Sequence, residues 1–293
     1  MKICRFNQGR LGVVHDGAVW DVSSVLDLLP AQRYPLPQHD LLVEALPRLK
    51  EPIAQAMKGA QRFEIAQVHF ESPVANPGKI IGAPINYQSH LEESKNNAAI
   101  AHGRTVTSIA DWGLFLKAGS SLIGCGDEIV LRFPERRNDH ELELGVVIGS
   151  TCSHVSREHA MAHVAGYSIA LDMTLRGTEF QSFRKSIDSY AVLGPWLVTA
   201  DEIADPNQLD IWLKVNGEMR QQSNTRHLVY DIARLIEFAS SFYTLHAGDI
   251  IMSGTPEGVG PVTPGDRLDA GIEQIGEFSM RVAPAYARSS SGT

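Results

Sequence analysis

The sequence predicts an α+β protein dominated by β-strands, and three observations support this fold class. Short runs of apolar and β-branched residues, typical of strands, recur along the later two thirds of the 293-residue chain. One segment among them, residues 228–243, has apolar residues at the three- and four-residue spacing of a helix. The strands do not alternate with helices, which argues against a parallel βαβ sheet.

Residues 1–72 are predicted to form a small N-terminal domain. The stretch RLGVVHDGAVWDV reads as two short strands joined by a turn at Asp16-Gly17. Helices are expected in SSVLDLLP and in HDLLVEALPRLKEPIAQAMKGA, although the second contains prolines. The proline- and glycine-containing segment ESPVANPGK marks the boundary.

Residues 73–287 are predicted to form the larger domain, and residues 288–293 a frayed tail. KIIGAPIN reads as a strand that leads into a short helix, YQSHLEESKNN. Residues 96–112 lack a clear periodicity and are expected to form a mobile connection. The later strand candidates are EIVLRF, LELGVVIG, HVAGYSIALDM, LDIWLKVNG, DIIMSG and FSMRV.

Composition and charge limit the classes of partner. A net charge of −8 argues against nucleic acid as a partner and is compatible with recruiting a cation. Cys4, Cys125 and Cys152 are odd in number and form no CxxC pair, so neither a disulfide framework nor a cysteine zinc site is expected. The N-terminus lacks a signal-peptide core, and no apolar run reaches the ~18 residues of a membrane helix. A cytoplasmic protein without a membrane partner is expected.

Two acidic residues in NDHELELGVVIG raise a specific question. Glu141 and Glu143 are two residues apart in a predicted strand, so their side chains project from one face, where like charges repel. A divalent cation between them would remove the repulsion, and Asp172, at the end of the next apolar run, offers a third oxygen ligand. Three carboxylates favour Mg²⁺ or Mn²⁺ over zinc. The alternative is a solvated strand face beside Arg136 and Arg137.

Three further features could carry chemistry. His90 and Glu93 share a face if NYQSHLEES is helical, and a carboxylate beside an imidazole is how a general base is built. Lys185 could stabilise negative charge near a metal site, and the loop SGTPEGVGPVTPGD could place N–H groups around an anion. The alternatives are a surface pair, a surface lysine and two consecutive turns.

Together these segments resemble the fumarylacetoacetate hydrolase family. The family pattern of Asn-Tyr followed by His and Glu matches Asn86, Tyr87, His90 and Glu93. The family's acidic strand, third-acid segment, lysine segment and C-terminal loop match HELELGVVIG, LDMTLR, RKSIDSYAVLGP and GDIIMSGTPEGVG. The resemblance covers residues 75–283 and is especially close to the acylpyruvase and oxaloacetate decarboxylase branch, through IWLKVNGEMRQ and LDMT.

The resemblance implies a fold, a metal and a set of roles. The fold is a mixed β-sandwich roll catalytic domain beside a small N-terminal α+β domain, in a protein that is usually a homodimer. Mg²⁺ or Mn²⁺ is held by Glu141, Glu143 and Asp172. The implied catalytic residues are His90, Glu93 and Lys185, and residues 94–112 form a lid. The implied substrate contacts are Tyr87, Arg176, Thr255 and Glu179.

The chain departs from the family pattern close to the substrate. Relatives read TARD followed by a polar residue, whereas this chain reads TLRGTEF. Gly177 therefore replaces the aspartate after Arg176, and Glu179 falls near the family's glutamine. Ser253 replaces the usual threonine before Gly254. These departures leave the acyl group of the substrate open.

The function implied is hydrolysis of a C–C bond in a 2,4-dioxo acid, an acylpyruvate such as fumarylpyruvate or maleylpyruvate. A metal-stabilised pyruvate enolate and water activated by His90 and Glu93 would yield pyruvate and a carboxylic acid. An oxaloacetate decarboxylase and a hydroxymuconate-type isomerase on the same metal site are alternatives. A non-catalytic ligand-binding protein is a further alternative, which the intact acids, dyad and lysine disfavour.

Overall fold

The computed structural model describes residues 1–96, 100 and 107–283. Of these described residues, 34% lie in strands and 26% in helices, which confirms the strand-dominated α+β class. The strands are β1 Lys2–Phe6, β2 Arg10–His15, β3 Ala18–Asp21, β4 Arg62–Glu64, β5 Phe70–Glu71, β6 Ile80–Gly82, β7 Phe115–Lys117, β8 Leu122–Ile123, β9 Asn138–His140, β10 Leu142–Ile148, β11 Val164–Asp172, β12 Thr174–Leu175, β13 Ala191–Thr199, β14 Asp210–Val215, β15 Glu218–Asn224, β16 Ile250–Met252, β17 Gly260–Pro261, β18 Arg267–Ile272 and β19 Gly276–Arg281.

Where their bounds are described, the α-helices are four to 16 residues long. The α-helices with described bounds are α1 Leu41–Ala56, α2 Gln88–Asn96, α3 Ile109–Trp112, α4 Arg157–Ala160, α5 Gln181–Arg184 and α6 Ile232–Phe242. Short 3₁₀ helices span Ser23–Leu28, Met57–Gly59, Ile65–Gln67, Gly119–Ser121, Met161–His163, Ala200–Glu202 and Thr225–His227.

The largest sheet has the strand order β4-β3-β2-β1-β13-β11-β10-β16-β6-β7, with β5 beside β1 and β8 beside β13. Strand β10 lies between β11 and β16 and is antiparallel to both. All of its residues are buried, because both faces of the sheet are covered. One face packs on α6 and on the four-stranded sheet β15-β14-β18-β19, and the other packs on α1.

The N-terminal segment is joined to the rest of the chain through this sheet. β1 pairs with β13, with Ile3 opposite Leu197. Asp40 caps α1 with one carboxylate oxygen, and its other oxygen accepts from the backbone N–H groups of Ala75 and Asn76 at 3.1 Å. The domain boundary after residue 72 stays a prediction, and a single sheet extends across it.

One predicted strand is wrong, and one predicted helix is present in the tighter 3₁₀ form. EIVLRF forms no strand, and within it Ile129 makes only an isolated bridge to Val282. The backbone N–H of Val130 donates to the Ser189 hydroxyl at 2.8 Å, so a side chain and not a neighbouring strand accepts from it. The first predicted helix, SSVLDLLP, is a 3₁₀ helix.

Parts of two predictions fall outside the described residues. Of the predicted connection and lid, residues 97–99 and 101–106 are not described, whereas its last part forms α3 with a capping box of Ser108 and Asp111. The predicted tail, residues 288–293, also lies outside the described ranges. Among the described residues, the structure contains no helix whose length and apolar character would suffice for crossing a membrane.

Candidate active site

Three buried carboxylates meet where β10 and β11 run side by side. Glu141 directly precedes β10, Glu143 is its second residue, and Asp172 ends β11. The backbone N–H of Asp172 donates to the Glu141 carbonyl at 2.9 Å, which fixes the register of the two strands at the cluster. One carboxylate oxygen from each residue lies within 4.8 Å of the others. The predicted juxtaposition of the three acids is therefore present in the structure.

Three buried cationic side chains surround these acids. The Lys185 ammonium donates to Glu141 at 2.8 Å, to Asp172 at 2.5 Å and to the Thr174 hydroxyl at 2.7 Å. Lys117 donates to the other oxygen of Asp172. Arg176 donates to Glu141 at 2.7 Å and to Asp139 at 2.7 Å. Glu141 and Asp172 are thus paired with cations.

The pKa values of the two glutamates shift in opposite directions. Burial by itself raises the pKa of Glu141, but the charges of Lys185 and Arg176 outweigh burial and hold that pKa well below its usual range. Burial and the charge of Asp172 raise the pKa of Glu143 well above its usual range, against the opposing charge of Lys185. Glu143 is therefore the acid whose negative charge is least compensated by the protein.

This donor set fits a hard divalent cation. Every candidate ligand atom is a carboxylate oxygen, as Mg²⁺ and Mn²⁺ prefer. Glu143, whose raised pKa reflects burial beside like charges, would gain most from a dication, because the added positive charge favours its ionised form. Glu141, Glu143 and Asp172 together are the residues that could hold the metal.

A histidine and a glutamate form a second polar group on α2. His90 Nδ1 lies 2.8 Å from Glu93 Oε2, and His90 is buried. The carboxylate favours a proton on Nδ1, so the lone pair of the neutral ring is on Nε2. The other oxygen of Glu93 accepts from the backbone N–H of Gly258 at 3.1 Å. The predicted pair is therefore formed, and a neighbouring loop holds its carboxylate.

That loop, residues 254–258, contacts several parts of the site and is called the 254–258 loop below. The Gly254 N–H donates to Glu143 at 2.6 Å. The Glu257 carboxylate accepts from the Ser89 hydroxyl at the start of α2. The loop thus connects the acid cluster on β10 to the helix that carries the His–Glu pair.

One cavity brings most of the predicted residues together. Its apolar wall includes Trp112 and Phe115, and its polar wall includes Arg184 and Gln181 from α5. The predicted site residues that line it are His90, Glu141, Glu143, Asp172, Arg176, Lys185 and Thr255.

Two predicted substrate contacts lie outside this lining. Tyr87 is fully buried, and burial together with the charge of Glu143 raises the pKa of its hydroxyl. Glu179 forms a two-bond ion pair with Arg136, with both distances at 2.9 Å, and this pairing lowers its pKa to about 2. Contact of Tyr87 and Glu179 with substrate stays a prediction.

Three polar residues of the site were not predicted from the sequence. Lys117 ends the short strand β7 and belongs to no periodic pattern. The signal that could have identified it is a single cation in an otherwise apolar strand. Asp139 accepts from both Arg176 and Arg137. Gln221 is buried within EMRQQSN, where its polar neighbours conceal it.

Known proteins that are similar to this chain include two hydrolases that match it over nearly its whole length. A maleylpyruvate hydrolase from Aquipseudomonas alcaligenes is 55% identical over 284 residues, which cover 96% of this chain and 99% of the relative. A 2,4-didehydro-3-deoxy-L-rhamnonate hydrolase from Sphingomonas sp. (strain SKA58) is 36% identical and covers 97% of this chain and 96% of its own.

A solved structure shares the whole architecture. The maleylpyruvate hydrolase from Sphingobium sp. SYK-6, in complex with manganese(II) ion and pyruvate, superposes with a TM-score of 0.83 at 41% identity and covers 98% of this chain and 100% of its own. The family model described as "Fumarylacetoacetate (FAA) hydrolase C-terminal" matches residues 79–283. The chain belongs to the fumarylacetoacetate hydrolase family.

Proposed function

We propose that this protein is a divalent-metal-dependent hydrolase that cleaves the C–C bond of an acylpyruvate, with maleylpyruvate as the preferred substrate, in the catabolism of aromatic compounds. The observation that carries the proposal is a single cavity lined by three buried carboxylates and by His90, whose Nδ1 is held by Glu93. Two relatives that cover nearly the whole chain are maleylpyruvate hydrolases, and one of them binds Mn²⁺ and pyruvate.

Glu141, Glu143 and Asp172 would hold the metal. When bound, Mn²⁺ or Mg²⁺ supplies positive charge that stabilises negative charge on the oxygens of a 2-oxo acid. Arg176 and Thr255 line the same cavity and would bind the substrate carboxylate through N–H and O–H donors.

His90 and Glu93 would activate water. With Nδ1 protonated toward Glu93, His90 accepts a proton from water at Nε2, and the water oxygen attacks the 4-carbonyl carbon. The C3–C4 bond then breaks, the C4 side leaves as a carboxylic acid, and C3 receives the proton from His90 to give pyruvate. Water and the diketo acid together supply every atom of the two products.

Lys185 would offset charge that develops during the attack. Its ammonium lies in the cavity wall and is held by Glu141, Asp172 and Thr174, so it is positioned before substrate arrives. Decarboxylation of oxaloacetate needs no activated water. The ordered His90–Glu93 pair therefore favours hydrolysis over that alternative.

The test is a Mn²⁺-supplemented assay of pyruvate and CO₂ released from maleylpyruvate, fumarylpyruvate, acetylpyruvate and oxaloacetate. We expect pyruvate without CO₂ from maleylpyruvate, and loss of this activity when EDTA removes the metal. Pyruvate with equal CO₂, from oxaloacetate alone, would contradict the hydrolase proposal and point to a decarboxylase.

We further propose that the protein is a cytoplasmic homodimer and accepts Mg²⁺ as well as Mn²⁺. Phe180 and Phe183 lie beside the cavity residues of α5 and are 82% and 76% exposed. A second copy of the chain that packs on these two rings would remove them from water and hold α5 in place. Light scattering after size-exclusion chromatography measures the mass of the particle and compares it with the 32.1 kDa chain.

A further inference from the structure

We infer that Gln221 is a positioning residue that fixes the Thr255 hydroxyl as a hydrogen-bond donor toward the bound substrate. This inference rests on the proposed function, because it concerns how the same cavity recognises a 2-oxo acid. Gln221 does not line the cavity itself; it lies on β15, fully buried, behind the 254–258 loop.

Two backbone groups determine the orientation of the Gln221 amide, because one of them can only donate a hydrogen bond and the other can only accept one. Its Oε1 lies 3.0 Å from the Leu142 nitrogen, which can only donate. Its Nε2 lies 3.0 Å from the Pro256 carbonyl oxygen, which can only accept. If the amide were flipped, its NH₂ group would face the Leu142 N–H and its oxygen would face the Pro256 carbonyl oxygen. The observed orientation is therefore the only one that satisfies both backbone groups.

The orientation of Gln221 determines the role of Thr255. Nε2 of Gln221 lies 2.7 Å from the Thr255 hydroxyl oxygen, so this oxygen accepts a hydrogen bond from the amide. The hydroxyl proton must then point in another direction. Because Thr255 is buried and lines the cavity, the available direction for this proton is into the cavity, toward an acceptor on the ligand. A carboxylate or carbonyl oxygen of a 2-oxo acid is such an acceptor.

The backbones of β15 and the 254–258 loop lie close together at this contact. Gly258 has a φ of +89°, and a Cβ at this position would lie 1.9 Å from the Arg220 carbonyl oxygen, so glycine is required. His140 also supports the arrangement: its Nδ1 lies 3.1 Å from Gln221 Oε1 and donates to it. Gln221 is thus held from both sides before it acts on Thr255.

The experiment is a double-mutant cycle on ligand binding. Gln221→Glu keeps the size of the side chain and its acceptor for the Leu142 N–H, but it presents an acceptor to Thr255 and draws the hydroxyl proton out of the cavity. Calorimetry would measure the Kd of pyruvate, and separately of oxalate, for the Mn²⁺-loaded wild type, Q221E, T255V and the double variant. Gln222→Glu is the matched control, because it makes the same substitution at the neighbouring residue of β15, which is exposed.

We expect Q221E and T255V each to raise the Kd about tenfold, which corresponds to one charge-assisted hydrogen bond. In the Q221E background, Thr255→Val should raise it less than about twofold further, since the donor is already lost. Gln222→Glu should bind within about twofold of wild type. If Q221E melts at a lower temperature than wild type, Gln221→Met is the second variant, because it removes the donor and the acceptor of the amide without adding charge.

The outcomes separate this inference from the proposed function. Fully additive effects of the two substitutions would overturn the inference and leave Gln221 as a partner of buried backbone groups only. A wild-type protein that binds neither pyruvate nor oxalate would also overturn the inference. Because the cycle measures binding, it gives a result whether or not the turnover assay with maleylpyruvate succeeds.

Discussion

Gly177 stands where the family resemblance predicts an aspartate, and two charged side chains occupy the space that a side chain would need there. A Cβ at residue 177 would lie 2.1 Å from both Arg136 Nη2 and Glu179 Oε2. These two side chains form an ion pair, and Arg136 also donates to the Arg176 carbonyl at 2.9 Å. Glycine therefore leaves room for an ion pair that holds the backbone of Arg176, a residue of the cavity wall.

Replacing this glycine tests the link between the ion pair and the cavity. We expect Gly177→Ala to displace Arg136 and Glu179, loosen the backbone at Arg176 and lower kcat/KM for the proposed substrate by about tenfold, because misplacement of a binding group is costly. Gly59→Ala is the matched control, since a Cβ at Gly59 meets no atom within 4 Å. Equal kinetics of the two variants would show that the ion pair does not position Arg176.

At the scale of single elements, α2 offers a test with an internal control. Glu93 and Glu92 are neighbours in this helix, but Glu93 binds His90, whereas Glu92 accepts from Gln88 at 3.3 Å on the exposed side. We expect Glu93→Gln to lower kcat by about 10²–10⁴, because the amide no longer stabilises the protonated imidazole. Glu92→Gln should keep wild-type kcat.

Measurement of Mn²⁺ binding should distinguish a variant that has lost only catalysis from one whose metal site is disrupted. Both variants are expected to keep the wild-type Kd for Mn²⁺, measured by calorimetry, because neither glutamate belongs to the acid cluster. A Glu93→Gln variant with wild-type kcat would remove the general-base role from the His90–Glu93 pair.

The elements that the sequence predicts well are those with a local signal. The His90–Glu93 pair is three residues apart on a helix, and Glu141 and Glu143 are two apart on a strand, so periodicity alone places each pair on one face. The contact of Lys117 with Asp172 joins residues 55 apart, and that of Gln221 with Leu142 joins residues 79 apart. No local pattern encodes such contacts, because they depend on how the strands pair.

The strand predicted over EIVLRF was wrong for a related reason. Its β-branched and apolar residues favour a strand, but Leu131 and Ile129 are buried without a neighbouring strand to pair with along their length. The backbone N–H of Val130, between them, donates to the Ser189 hydroxyl and not to a strand. Tertiary contacts outweighed local propensity here.

For the whole molecule, the acid cluster predicts how stability depends on pH and metal. The folded pKa of Glu143 is raised above its unfolded value of about 4.3, so the metal-free protein loses stability as pH rises from there toward the folded pKa. We expect metal-free Glu143→Gln to be more stable than wild type at pH 8 by about 1–3 kcal/mol, and the difference to shrink toward pH 5. Urea unfolding in EDTA measures both differences.

Added Mn²⁺ should reverse the order of the two proteins. Wild type gains stability because the cation binds the folded state and compensates Glu143, whereas Glu143→Gln should lose most of that gain. Glu158→Gln, an exposed residue of α4, is the control and should behave like wild type. An undiminished Mn²⁺ effect in Glu143→Gln would exclude Glu143 as a ligand.

The pairing of β1 with β13 has a consequence for shortened forms of the protein. Along its second half, β13 has β11 on one side and β1 on the other, with Lys2 opposite Val198. A fragment that starts after residue 72 would expose this part of β13 as a bare apolar edge, able to pair with the same edge of another molecule. Residues 1–72 therefore protect this strand edge from other molecules. Their removal is expected to yield aggregates rather than a smaller active enzyme.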